Sequence, residues 1–336
     1  MPSRNHFYTH STRAVPNSIN PINSISPINP FTLVLSLLPV LTFSHAVLGA
    51  TATLLPIADT SLMESFPTNN LGGENVILAG VGENLKRHRA LLRFDAAGQL
   101  PAGAKIQSAS LTLELAWLPA NGYSPSTMEL HRLFRSWGEG NKQSPTNCTS
   151  CAGQGALAGT NEACWLTPFA WTTNGWTSPG AAATNDFVSD ISASQTIYKF
   201  ADSPYTFGPS PAMGADVQAW LDNPQANFGW ILLGQDETVK FSARRFWSRE
   251  NTNFPPYLTV QYLVAPLIDR VQRTGRQLNL FFTAQPEQSY VVEFRDGLTG
   301  GTWQTLANLG SFSETTRVLI VDPITATQRF YRVVTY

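Results

Sequence analysis

The chain has 336 residues, 43% hydrophobic and 13% charged, enough to bury a sizeable core and long enough for about two domains. Its 22 basic and 23 acidic residues leave a formal charge of −1. That balance excludes the basic footprint of a nucleic-acid binder and the polybasic surface of a protein held to anionic lipid. Of five His, only His88 and His131 lie beyond residue 50, so a His-rich metal site has little to draw on.

Residues 1–50 carry Arg4 and Arg13 and no acidic residue, then an apolar run from Phe31 to Phe43, then small residues from Ser44 to Ala50. This is the layout of a secretory signal, with cleavage expected after Ala46 or after Ala50. The apolar run falls short of the ~18 residues a spanning helix needs, and Pro39 interrupts it. The expected product is mildly acidic, lies outside the cell or at its surface, and keeps no stable membrane insertion.

Strand signals begin after residue 50. In Ala109-Ser110-Leu111-Thr112-Leu113-Glu114-Leu115, alternation puts Leu111, Leu113 and Leu115 on one face. Phe228 to Leu233 is a continuous apolar run, suited to a strand buried on both faces. Tyr257 to Tyr262 alternates again, directly after Pro255-Pro256. Turn chemistry separates these runs at Thr68 to Gly73, Pro101-Ala102-Gly103 and Asp222-Asn223-Pro224. Only Ala215 to Leu221 has helical spacing, through Val217, Trp220 and Leu221. One short helix among many strands predicts an all-β protein, a jelly-roll-like antiparallel β-sandwich over residues 51–264. A break at Ala265-Pro266 opens a second module, 265–336. There Leu278–Phe282, Tyr290–Phe294, Arg317–Val321 and Phe330–Val334 predict a small fibronectin-like or immunoglobulin-like β-sandwich.

Several pieces of the first module, in order, resemble the DNRLRE family of secreted bacterial proteins. They are Ala58-Asp59-Thr60, Asn69-Asn70-Leu71-Gly72, Arg89 to Asp95 followed by Leu100 to Ala104, and Ala109 to Leu113. His131-Arg132-Leu133 with Ser136 to Gly140, Val217 to Leu221, and Phe246-Trp247-Ser248-Arg249-Glu250 complete the set. This chain departs from the family in that the name-giving motif survives only as Ser248-Arg249-Glu250. The resemblance implies a secreted β-sandwich without known catalysis, of a kind that occurs beside polysaccharide-degrading domains as a carbohydrate-binding module. It carries over no agreed set of functional residues.

Tryptophan is the abundant resource, with nine in the chain and eight of them in the first module. Sugars bind flat aromatic faces while neighbouring polar groups take their hydroxyls. Trp165, Trp171 and Trp176 lie in a Gly-, Thr-, Pro- and Asn-rich stretch that reads as loop, so Trp171 and Trp176 are candidate sugar platforms. The competing use is to plug the core under that loop. Trp220 and Trp230 read as core. In Phe241 to Glu250, Arg244 or Arg249 would hold the carboxylate or sulfate of an acidic glycan, with Trp247 stacking beside it. The competing use there is a tie from Arg249 and Glu250 to Asp59 or Asp95.

Cys148, Cys151 and Cys164 lack a fourth ligand for zinc. In an exported chain they predict one disulfide, most naturally to Cys164, with Cys148–Cys164, Cys151–Cys164 and Cys148–Cys151 all open. Asp59, Asn69 and Asn70 are oxygen donors near turns, the ligand type for a structural calcium ion, although no D-x-D-x-D-G loop surrounds them. No catalytic motif appears. The reading is a non-catalytic module for extracellular polysaccharide. A structural or adhesive surface protein is the first alternative. A polysaccharide-active enzyme, which would need a carboxylate pair or a His/Tyr/Arg cluster in a cleft, is the second.

Overall fold

The structure is a computed structural model that describes residues 49–120, 125–146, 153–297, 302–326 and 328–335. All but the last two residues of the expected leader lie outside the described residues. Among the described residues no helix is long and apolar enough to cross a membrane.

The chain is all-β, as its alternation predicts. In order, the strands and α-helices before residue 265 are β1 (Ala50–Leu54), β2 (Pro56–Met63), β3 (Asn69–Asn70), β4 (Val76–Val81), β5 (Arg87–Phe94), α1 (Ala96–Gln99), β6 (Lys105–Leu113), β7 (Leu115–Trp117) and β8 (Ser126–Arg132). There follow β9 (Ala156–Leu157), β10 (Ala193–Ile197), β11 (Tyr205–Phe207), α2 (Pro211–Asp222), β12 (Trp230–Gly234), β13 (Arg244–Trp247) and β14 (Tyr257–Leu263). One sheet has the order β1-β14-β6-β11. The larger sheet runs β10-β8-β12-β5-β4-β13-β7, with β2 also paired to β5.

The main core lies where the two sheets and α2 meet. Leu111, Leu113, Leu258 and Val260 enter it from the smaller sheet, and Leu92, Phe94, Trp230 and Phe246 from the larger. Helix α2 starts where Ser210 accepts a hydrogen bond from Met213 N and Pro211 takes the first helical position. It buries Met213, Val217, Trp220 and Leu221, the last three being the helical stripe read from the sequence.

Strand β12 is buried on both faces, as its unbroken apolar run requires. Trp230 and Leu232 face the main core, whereas Ile231 and Leu233 face a second one. That second core is built by the segment between β8 and β10, which folds Trp137, Trp165, Trp176 and Phe187 over Leu62, Leu91 and Ile231. Each large apolar side chain buried this way contributes about 1.5–3 kcal/mol. The segment has little regular structure; scattered backbone hydrogen bonds, such as Ala163 N to Gly138 O and Gly180 N to Trp165 O, are supplemented by side chains. The buried Asp186 carboxylate accepts from Thr177 N, Thr177 Oγ1, Ala182 N and Arg135 Nη1.

The remaining strands are β15 (Ile268–Thr274), β16 (Gln277–Ala284), β17 (Tyr290–Arg295), β18 (Gln304–Leu309), β19 (Thr316–Pro323) and β20 (Phe330–Thr335). They form the sheets β15-β16-β19 and β18-β17-β20 around Leu280, Phe282, Tyr290, Val292, Val318 and Ile320. Four of these strands are those expected. Strands β15 and β18 are additional; both lie at sheet edges, β15 exposed along nearly all of its length and β18 along half of it, and neither shows the strict apolar alternation of the others.

Candidate functional site

A cavity of about 420 Å³ opens beside the larger sheet, a size within the ~300–1,000 Å³ usual for small-ligand sites. Its floor follows from strand register. Arg245 of β13 lies opposite Leu78 of β4 on one side and Trp117 of β7 on the other. His88 of β5 lies opposite Gly80. Leu78, His88, Trp117 and Arg245 all line the cavity.

A β-bulge puts Trp117 there. Arg245 pairs with Trp117 and the next residue, Phe246, pairs with Leu115, so β7 holds one extra residue, Ala116. Plain alternation would send Leu115 and Trp117 to the same face. With the bulge, Leu115 is fully buried in the core and Trp117 turns outward, 43% exposed. The Arg245 guanidinium carbon sits 4.8 Å from the centroid of the Trp117 ring, a cation–π distance.

Loops complete the walls. Ser65 and Phe66 follow β2; Gly82, Glu83 and Asn84 form the β4–β5 turn; Gln154 and Phe241 come from longer connections. Asn84 Nδ2 donates to Ser65 Oγ at 3.2 Å, which ties two of these loops together. Burial, reinforced by the Arg245 cation and opposed by Glu64, pushes His88 down to about 4. Its Nδ1 is sealed from solvent and makes no hydrogen bond. The cavity thus offers an aromatic face, a guanidinium, a neutral imidazole and amide and hydroxyl groups.

The residues singled out in the sequence fall elsewhere. Trp176 is buried in the second core and donates its Nε1 hydrogen to Cys164 O at 3.0 Å, so it plugs the core as the competing reading has it. Trp171 is 60% exposed and donates to Ala158 O at 2.6 Å. With Thr68, Leu166 and Thr167 it lines a shallow space of about 180 Å³. Trp247 stacks on Phe254, ring centroids 6.4 Å apart. Arg244 is fully buried and donates to Phe241 O, Ala243 O and Ser126 Oγ, out of a ligand's reach.

Asp59, Asn70 and Arg249 do meet, around Glu139. Asp59 N and Arg249 Nη1 both donate to Glu139 Oε1, at 2.8 and 3.0 Å. Asn70 Nδ2 donates to Glu139 O at 2.7 Å. Arg249 also donates its backbone N–H to Asp59 Oδ2, the tie to Asp59 that was the alternative use of this motif. Asp95 instead caps α1. Burial first, then the nearby Glu250 charge, pushes the Asp59 carboxyl well up. Asn70 is spent as well, its Nδ2 also bonding Ala163 O and its Oδ1 accepting from Gly72 N and Lys142 N. Asn69 Nδ2 donates to Gln154 O. Asp59 and Asn70 are thus tied to the segment around Glu139, and Asn69 ties β3 to Gln154. Among the described residues no group of three or more His, Cys, Asp or Glu is arranged to hold a metal ion.

The expected disulfide to Cys164 is not formed. Cys164 is a free, buried thiol 3.6 Å from Thr167 Oγ1, packed with Ala158 and Ala170. Cys148 and Cys151 lie outside the described residues.

No family model matches the chain, and no curated protein matches it. Among solved structures, the crystal structure of beta-1,2-glucanase from Parabacteroides distasonis aligns over 86% of this chain at 8% identity, with a TM-score of 0.15. The chain spans 35% of that protein, and a likeness of this degree carries no argument.

Proposed function

We propose that the protein is an exported, non-catalytic module that binds extracellular polysaccharide, with the Trp117 cavity as its sugar site. The observation that supports this reading is the bulge-directed Trp117, exposed in a 420 Å³ cavity among Arg245, His88, Asn84 and Ser65. An aromatic face beside hydroxyl and amide groups is what a pyranose ring requires. The resemblance to the DNRLRE family points the same way. For export, cleavage after Ala46 leaves β1 whole, whereas cleavage after Ala50 removes the residue that pairs with Tyr262. Val47 is therefore the expected first residue of the mature chain by N-terminal sequencing.

The test is retardation of the mature chain in gels loaded with a panel of polysaccharides. Retardation on at least one glycan, lost in Trp117→Ala and kept in Trp171→Ala, supports the reading. Absence of retardation on every glycan overturns it and favours a structural or adhesive role, toward which the burial of Trp165 and Trp176 in the second core already leans.

A further inference from the structure

We infer that the second module carries a self-association surface, through which two copies of the chain pair antiparallel along β20 and join their β18-β17-β20 sheets into one. The inference does not depend on what the first module binds. Of the edge strands in this module, β15, β18 and β19 carry the devices by which natural sheets avoid edge pairing, and β20 does not. In β15 the register shifts between Ile268 and Arg270, a bulge at Asp269, and Arg270 and Arg273 add charge. The pairing of β18 shifts at Leu306. Strand β19 ends in Pro323, next to the inward-pointing Asp322. Strand β20 has no Pro, Lys or Gly and keeps an unbroken register with β17 from Phe330 to Thr335. Its one charge, Arg332, is held by Glu293 at 2.6 Å. Among the described residues no strand pairs with its other edge.

The sandwich is uncovered on the same side. Val271 of β15 lies opposite Leu280, a core residue, so the pleat points Val271 inward as well, yet it is 57% exposed. Two positions on, Arg273 shares a space of about 190 Å³ with Leu278 of β16 and Tyr331 of β20. Strands β15 and β20 therefore border one opening between the two sheets, and a strand laid along β20 covers it. The row of unpaired N–H and C=O groups specifies an extended backbone as the occupant. A second β20 satisfies both copies at once, because a two-fold axis brings the same open edge and the same uncovered strip to each. Charge sets the register. Pairing about Arg332 would put two guanidiniums opposite each other, which is destabilising. Pairing about Val333 puts Val333 opposite its counterpart on the core side and Arg332 opposite Val334 of the other copy on the outer side. Such a dimer carries two first modules, so its binding to a repeating polymer becomes bivalent.

The experiment follows the mature chain by sedimentation equilibrium from about 1 μM to about 1 mM, the range of moderate to weak association. Backbone hydrogen exchange is read at both ends of that range. The expected result is a mass that doubles as concentration rises, with protection gained in residues 330–335. Val334→Lys sets like charges opposite Arg332 on both sides of the axis and should weaken association roughly tenfold, whereas Val334→Glu sets opposite charges there and should not weaken it. Both substitutions place a charge at one position and carry the same risk to the fold, so the difference between them reports the register. A chain that stays monomeric up to about 1 mM overturns the inference. So does a dimer whose gained protection falls outside 330–335, or one that the two substitutions weaken equally. Exchange is read on the unaltered protein, so the answer stands even where a variant fails to fold. None of these measurements involves a glycan, and their failure leaves the sugar reading untouched.

Discussion

His88 ties the cavity to the stability of the fold, and acidification is the perturbation that shows it. In the unfolded chain His88 titrates near 6.5, whereas in the folded protein burial and Arg245 hold it at about 4. The unfolded state therefore binds more protons in the interval between these values. Stability is complete above pH 6.5 and falls as pH drops toward 4. Each pH unit between the two values is worth about 1.4 kcal/mol, so about 2 kcal/mol of stability is lost by pH 5 and roughly 3 kcal/mol by pH 4. Other groups titrate over the same range, so the informative quantity is the difference between the protein and His88→Gln. Urea unfolding followed by tryptophan fluorescence is a suitable assay, because eight of the nine Trp lie before residue 265. The stability difference should shift by about 2 kcal/mol between pH 7.5 and pH 5, against the natural protein. An NMR titration of the His88 ring should give a midpoint near 4. A pH-independent difference, or a midpoint between 6 and 7, would refute the burial argument and with it the neutral imidazole in the cavity wall.

Asn70→Ala should cost about 3–5 kcal/mol, because it strands Gly72 N, Lys142 N, Glu139 O and Ala163 O at once; a urea midpoint within error of the natural protein would contradict this. Asp59→Asn should act in the opposite direction. Because burial raises its folded value, the Asp59 charge costs stability above that value, and the cost vanishes as pH falls below the unfolded value of 3.8. The variant should be more stable than the natural protein at pH 7 and lose that advantage near pH 4; lower stability at both pH values would show that the Arg249 N–H bond needs a carboxylate.

The parts of the fold that were legible share one property: a single face or a single period decides them. Phe228 to Leu233 suits a strand covered on both faces, and β12 sends its residues alternately into two cores. Val217, Trp220 and Leu221 have helical spacing and form the buried stripe of α2. The segment that covers the second core was not legible, because side-chain-to-backbone bonds from Asp186 and Asn70 hold it and such bonds leave no period in the sequence. Trp176 thus looked like a loop platform although it is core. Trp117 carries no signal of its outward position, because unbroken alternation from Leu111 sends it inward and the bulge that reverses it holds no Gly or Pro. Arg245 had a usable signal: counting back by two from the apolar Phe246 puts Arg244 inside and Arg245 outside.

The family-like motif and the cavity are linked through β13. A one-residue slip of that strand would exchange Arg244 and Arg245, burying the cavity-facing guanidinium and exposing the structural one. Immediately after β13, Ser248 Oγ donates to Glu74 O, and Arg249 N–H is fixed on Asp59. Glu139 then bonds both Asp59 N and the Arg249 side chain. Ser248-Arg249-Glu250 therefore acts as an anchor that sets the register of β13 from one end, with no contact to sugar required. Glu139→Ala takes away the acceptor shared by Asp59 and Arg249 while leaving every cavity residue in place. Glycan retardation should weaken in this variant although Trp117, Arg245 and His88 are intact. Unchanged retardation would mean that pairing with β4 and β7 alone holds Arg245 in phase, and that the motif serves stability without serving the site.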